Sequence, residues 1–300
     1  MFICGKFGFI DESGVIVVAA KYDTVGAFAS NGLARVQLGA KWGFVNRSGE
    51  LALPAKFDGA VDFSDEGLTA VELGDKWGYI TADGAFTISP RYHDIGNFAE
   101  GLAAVQPQEG GAWGFADRSG KMVIAPGFQF ATQFSEGLAG VEQGGKWGYI
   151  DPSGKMVIQP RFELPGGGFS EGLALVVVDW KLGYVDHNGI LAIQPRFDVA
   201  FSFSKGLALA SVDDKVGFID HKGEWTFRPR AGGAGTFWND FVALIEMKNG
   251  STGDRWWYMG QDGRLIWQAS ATEEPTHEIS SLVESASEQE RKFRESCLDK

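Results

Sequence analysis

A short step, lysine-tryptophan-glycine-aromatic, returns at a nearly fixed interval along the chain. It reads Lys41-Trp42-Gly43-Phe44, Lys76-Trp77-Gly78-Tyr79, Ala112-Trp113-Gly114-Phe115 and Lys146-Trp147-Gly148-Tyr149. Weaker copies stand at Lys6-Phe7-Gly8-Phe9, Lys181-Leu182-Gly183-Tyr184, Lys215-Val216-Gly217-Phe218 and Trp256-Trp257-Tyr258. The glycines at 8, 43, 78, 114, 148, 183 and 217 give spacings of 35, 35, 36, 34, 35 and 34 residues. Self-similarity at such a period marks a stacked architecture in which each unit is one small supersecondary element. Most recurring residues are therefore scaffold first.

The unit around Trp147 shows what that element is. Phe134-Ser135-Glu136-Gly137 leads into Leu138-Ala139-Gly140-Val141, and Gln143-Gly144-Gly145 turns the chain into Lys146-Trp147-Gly148-Tyr149-Ile150. In a strand Trp147 and Tyr149 share one face and Lys146 and Gly148 the other, so a strand with one packed face is expected. Asp-x-x-Gly links follow at Asp11–Gly14, Asn46–Gly49, Asp117–Gly120, Asp186–Gly189 and Asp220–Gly223. An Asx residue opening a turn can accept backbone N–H groups, and glycine closing it takes positive φ, so these are hairpins. A calcium loop would need more carboxylates in alternation. Proline then marks the third strand at Pro54, Pro90, Pro126, Pro160, Pro195 and Pro229, where a strand end is expected. The aromatic-acid stretch beyond it, such as Phe57-Asp58, is either a fourth short strand or a packed loop.

A ring of indoles could stack on sugars or on a methylated cation. Phe7, Leu182 and Val216 occupy the equivalent place, keeping the apolar character and losing the indole. Core filling tolerates that exchange and a stacking platform does not, so Trp42, Trp77, Trp113 and Trp147 are read as core. Gly43, Gly78, Gly114 and Gly148 are read as sites where a side chain would collide with a neighbour.

Composition narrows the function. A net charge of −12 with no basic run opposes a phosphate backbone, so nucleic acid is excluded as a partner. No stretch approaches a membrane span, and no membrane role is expected. Cys4 and Cys297 form no framework or metal cluster, and a cytoplasmic setting is expected, with export as the alternative if an upstream segment is missing. The histidines, at 93, 187, 221 and 277, form no ligand pair at helical spacing, and no nucleophile elbow occurs. No cofactor or metal and no catalysis are expected; a pair of facing carboxylates would be the one route to a glycoside hydrolase.

These motifs resemble the WG-repeat family, also called KWG repeats, found mainly in bacteria. The likeness rests on the Lys-Trp-Gly-Tyr-Ile-Asp strand, the Ser-Gly-Lys turn, the Val-Ile-x-Pro strand and the Phe-Ser-Glu-Gly-Leu-Ala lead, between Phe128 and Ala174. It covers residues 5 to 268. The resemblance implies a β-rich tandem module serving interactions, with no catalytic activity attached to the motif. Leu182, Val216 and Lys205 depart from the pattern, and the last unit is eroded.

Three places break the repeat and so are candidates for function. Glycine-rich loops run from Leu164 to Phe169 and from Ala231 to Phe237, without the lysine of a phosphate cradle. Off-beat tryptophans cluster late, at Trp225, Trp238, Trp256, Trp257 and Trp267; they cap the last unit or form a partner-binding surface. Residues 271–300 form a polar tail whose Ile279, Leu282, Val283 and Phe293 suggest a short helix, if it is not partly disordered. The expected protein is all-β, about eight 35-residue antiparallel meanders over residues 1–270, in a propeller-like ring or, alternatively, an open β-solenoid. Its expected function is a non-enzymatic scaffold for a protein partner, with glycan binding as the alternative.

Overall fold

The computed structural model describes residues 2–3, 5–10, 15–164, 167–213, 215–231, 237–238, 242–248, 254–259 and 265–268. Among the described residues every element is a strand, and the strands form eight antiparallel meander sheets. The tandem β architecture read from the sequence is what the chain adopts. The helix expected at 271–300 lies outside the described residues.

One sheet stands for the rest: Thr24–Val25, Leu33–Leu38, Lys41–Asn46 and Leu51–Phe57, hydrogen-bonded in that order. The stretch after proline, open between strand and loop in the sequence, is a two-residue strand that begins the next sheet. Gly59–Ala60, for example, pairs with Glu72 and Val71. The sheet of Ala174–Val178, Lys181–Val185 and Leu191–Phe197 has three strands, and the segment preceding it is the glycine-rich one after Phe162.

The central strand corrects the expectation of one packed face. Phe44 joins Leu53, Phe57, Phe63, Val71 and Ile80 in one core cluster. Its neighbour Val45 joins Val18, Tyr22, Ala34 and Val36 in another. The two clusters cover opposite faces of this sheet, so both faces of its middle strand are packed and alternation is lost there. The deepest ring is consequently the aromatic after the glycine: Phe44, Tyr79, Phe115, Tyr149, Tyr184 and Phe218 are all fully buried. Trp147 is buried at 9%, while Trp113 is half-buried and Trp42 and Trp77 are half-buried at the margin of their clusters.

The glycine in the motif is explained by the proline. Opposite Gly43, the partner strand passes from Leu53 to Phe57 through an irregular register, with Pro54 inside the strand rather than at its end. The bulge bends the partner backbone inward, and proline removes a donor where no ladder bond can form. A Cβ on Gly43 would stand 2.7 Å from both the Leu53 carbonyl and the Ala55 nitrogen. The same crowding recurs at Gly183 against Ile193 and Pro195.

The described residues fall into two compact units, the first ending at Gly127 and the second starting at Phe128.

Candidate functional site

Of the hairpins read from Asp-x-x-Gly, those opened by Asn46, Asp117, Asp186 and Asp220 are built as expected, and Asp11–Gly14 lies outside the described residues. Asp117 Oδ1 accepts the Ser119 and Lys121 amides at 2.9 and 3.0 Å, and Gly120 closes the turn at φ +81. The Ser119 hydroxyl, the largest contributor, holds the Asp117 carboxyl below its ordinary value. Their carboxylates are thus occupied with their own turns.

Two further rows of polar side chains tie neighbouring repeats within each unit. In the first, the acid after the proline strand bridges two sheets. Asp58 takes the Lys41 ammonium from its own sheet and the Gly74 amide, at 3.0 Å, from the hairpin of the following one. The lysine hydrogen bond, then the amide, lower its pKa. Asp23 does the same with Lys6 and Gly39, and Asp198 with Lys181 at 2.5 Å and the Asp213 amide at 2.8 Å. This gives the motif lysine a role at Lys6, Lys41 and Lys181: it pairs with the linker acid.

In the second row, the glutamate of Phe-Ser-Glu-Gly reaches forward one repeat. Glu66 accepts the Gly101 amide at 2.8 Å and pairs with Arg118 at 2.7 Å. Glu136 accepts the Gly172 amide at 2.9 Å and faces His187, and Glu171 accepts that of Gly206 at 2.9 Å and faces His221. The two histidines stack on Phe169 and Phe203 at ring distances of 4.2 and 4.5 Å. Beneath this row the buried tyrosines also cross between repeats, Tyr184 donating its hydroxyl to the Phe201 carbonyl at 2.7 Å. Burial pushes the Tyr149 phenol up to about 12.

Among the described residues no group of three metal-ligating side chains converges. Of the tryptophans singled out late in the sequence, Trp225 is half-buried and meets Phe197 edge-on, ring centroids 5.9 Å apart, so it caps its core cluster. Trp238, Trp256 and Trp257 lie in the strands Phe237–Trp238 and Asp254–Met259, with side chains outside the described set.

The exposed aromatic that sequence reasoning passed over is Trp180. It is 80% exposed, at the tip of the hairpin joining Ala174–Val178 to Lys181–Val185. Its φ is +60 and that of Asp179 is +50, whereas Gly144 and Gly145 fill the corresponding turn one repeat earlier. Its amide donates to Glu163 at 3.2 Å. The second unit also places apolar residues directly after the linker residue: Phe130 (56% exposed), Leu164 (52%) and Val199 (49%). The first unit has Thr24, Gly59 and Asp94 at those positions. The signal was in the sequence, a tryptophan one step before the lysine of a motif copy that had lost its own.

The sheets, clamps and core define a class, the tandem β-meander repeat proteins whose units lock to one another through recurrent side chains. Within that class, the chain belongs to the family of the WG containing repeat, whose profile matches residues 7–42, 42–77, 77–110, 113–147, 147–181 and 183–215. No curated protein matches the chain. Among solved structures it is similar to a crystal structure of a eukaryotic initiation factor (TM-score 0.59, 13% identity, covering 86% of this chain and 81% of that one). It is also similar to the dihydro-heme d1 dehydrogenase NirN in complex with DHE (TM-score 0.51, 11% identity, 82% and 66%). These likenesses are of fold alone, to β-propeller-like structures.

Proposed function

We propose that the chain is a non-enzymatic repeat scaffold that binds another protein. The observation carrying this reading is how the polar and apolar residues are spent. Recurrent acids such as Asp58, Asp198, Glu66 and Glu171 are engaged in holding neighbouring repeats. Exposed apolar residues stand among those that depart from the repeat, Trp180 above all. Exposed apolar groups clustered beyond what a repeat needs mark interaction surfaces.

The test is affinity purification of the tagged chain from its source organism, with quantitative mass spectrometry against a tag-only control. Carbohydrate arrays and a panel of glycoside substrates run alongside. A stoichiometric protein partner and silent arrays are expected. Turnover of a glycoside, or saturable sugar binding with no protein retained, sinks the proposal.

A further inference from the structure

We infer that the Trp180 hairpin tip is the anchor of a docking patch for a basic peptide segment, interspersed with apolar residues, of a partner protein. The inference rests on the scaffold reading above and deepens it by naming the site and the chemistry of the occupant.

Three observations converge on this tip. First, Trp180 sits in the left-handed region at φ +60. A bulky side chain there is an outlier that glycine, asparagine or aspartate would avoid, and neighbouring turns of the same chain use Gly145 and Asp75. Backbone strain of this kind persists at sites where it serves something other than stability. Second, packing does not reward the residue, because its ring is 80% exposed. A large rigid aromatic that the fold neither needs nor buries is the residue type that dominates interface energetics once a partner covers it.

Third, the surroundings state what would cover it. The Trp180 amide is held by Glu163, which precedes exposed Leu164. The adjacent Lys181 is held by Asp198, which precedes exposed Val199. The tip is thus an aromatic anchor with apolar flanks, the carboxylates of Glu163 and Asp179, and an Asp198 already paired with Lys181. Lysine and arginine side chains match that field twice over, through the carboxylates and over the face of the indole. A second copy is disfavoured, since an isologous pair would bring the same acids together on chains that each carry −12. A sugar is disfavoured because the flanks are apolar rather than amide or hydroxyl side chains.

The experiment pans a phage-displayed random dodecapeptide library on the full chain and counter-screens each clone on Trp180→Gly. Glycine is the favoured residue for this backbone, and Trp180→Asn serves as a second variant that also tolerates it. Both are expected to melt within about 2 °C of the parent, the shift a change of under one kcal/mol would give in a chain of this size. Clones that lose about tenfold or more in affinity on both variants, as removal of an anchor residue does, are expected to be rich in arginine, lysine and apolar residues. Asp179→Lys is expected to weaken the same clones. Clones that bind parent and variants equally overturn the patch and leave the scaffold reading standing. A library that yields no clones counts against both. Trp180-dependent clones that are acidic or neutral overturn the charge assignment, and a Trp180-dependent dimer or glycan-array signal overturns the occupant.

Discussion

The two units of the chain use one repeat for two surfaces. In both, a fully buried ring after the motif glycine fills the core, Tyr79 in the first and Tyr184 in the second. In both, the third strand exposes one apolar residue, as at Phe86 and Val157. They differ after the linker residue and at the hairpin tips. There the first unit has Gly59, Asp94 and the Gly74-Asp75 turn, and the second has Phe130, Leu164, Val199 and the Asp179-Trp180 turn. Positions that hold the fold stayed alike, and positions free of it diverged. That separation is what allows function to be sought in the second unit.

The comparison is tested most severely at the core. Tyr79→Ala and Tyr184→Ala should each lower stability by about 3–5 kcal/mol in urea denaturation, equally if both units rest on the same ring. Trp77→Ala, truncating a half-buried side chain, should cost roughly half as much; a loss equal to that of Tyr79→Ala would move the centre of the core to the indole. Next, Gly43→Ala and Gly183→Ala should each destabilise by about 1–3 kcal/mol, because the added methyl meets backbone that a bulge holds in place. A neutral melt for either would mean the bulge can open.

A smaller effect concerns pH. Asp58 in the first unit and Asp198 in the second have carboxyls lowered mainly by their lysine hydrogen bonds, then by backbone amides. A group whose folded pKa is lowered binds its proton more readily when unfolded. Its contribution is complete above the ordinary carboxylate value of 3.8 and is lost as pH falls through the lowered one. The urea midpoint should therefore drop on acidification from neutral pH to below that range, and Asp58→Asn with Asp198→Asn should flatten part of the drop. An unchanged profile in the double variant would remove these acids from the clamp. The smallest effect is expected where the units differ: Leu164→Gly with Val199→Asp, which copies the first unit, should change stability by no more than about 0.5 kcal/mol while reducing dye binding to exposed apolar surface. A larger loss would show those side chains to be structural.

The sequence by itself determined the repeat, its β character, the Asx hairpins and the glycine that tolerates no side chain. These follow from local rules: spacing, turn chemistry and the steric demand of one backbone on the next. Tertiary structure decided which ring lies deepest, because burial on both faces of the middle strand depends on the sheets either side of it. It decided that Pro54 sits in a bulge rather than at a strand end, since only the facing strand reveals the extra residues. It gave the motif lysine its partner Asp58 and the glutamates 66, 136 and 171 theirs, contacts that span 17 to 36 residues of chain and leave no local trace. Trp180 was visible as a letter out of step, yet its meaning came from exposure and backbone conformation, which a spacing pattern does not encode.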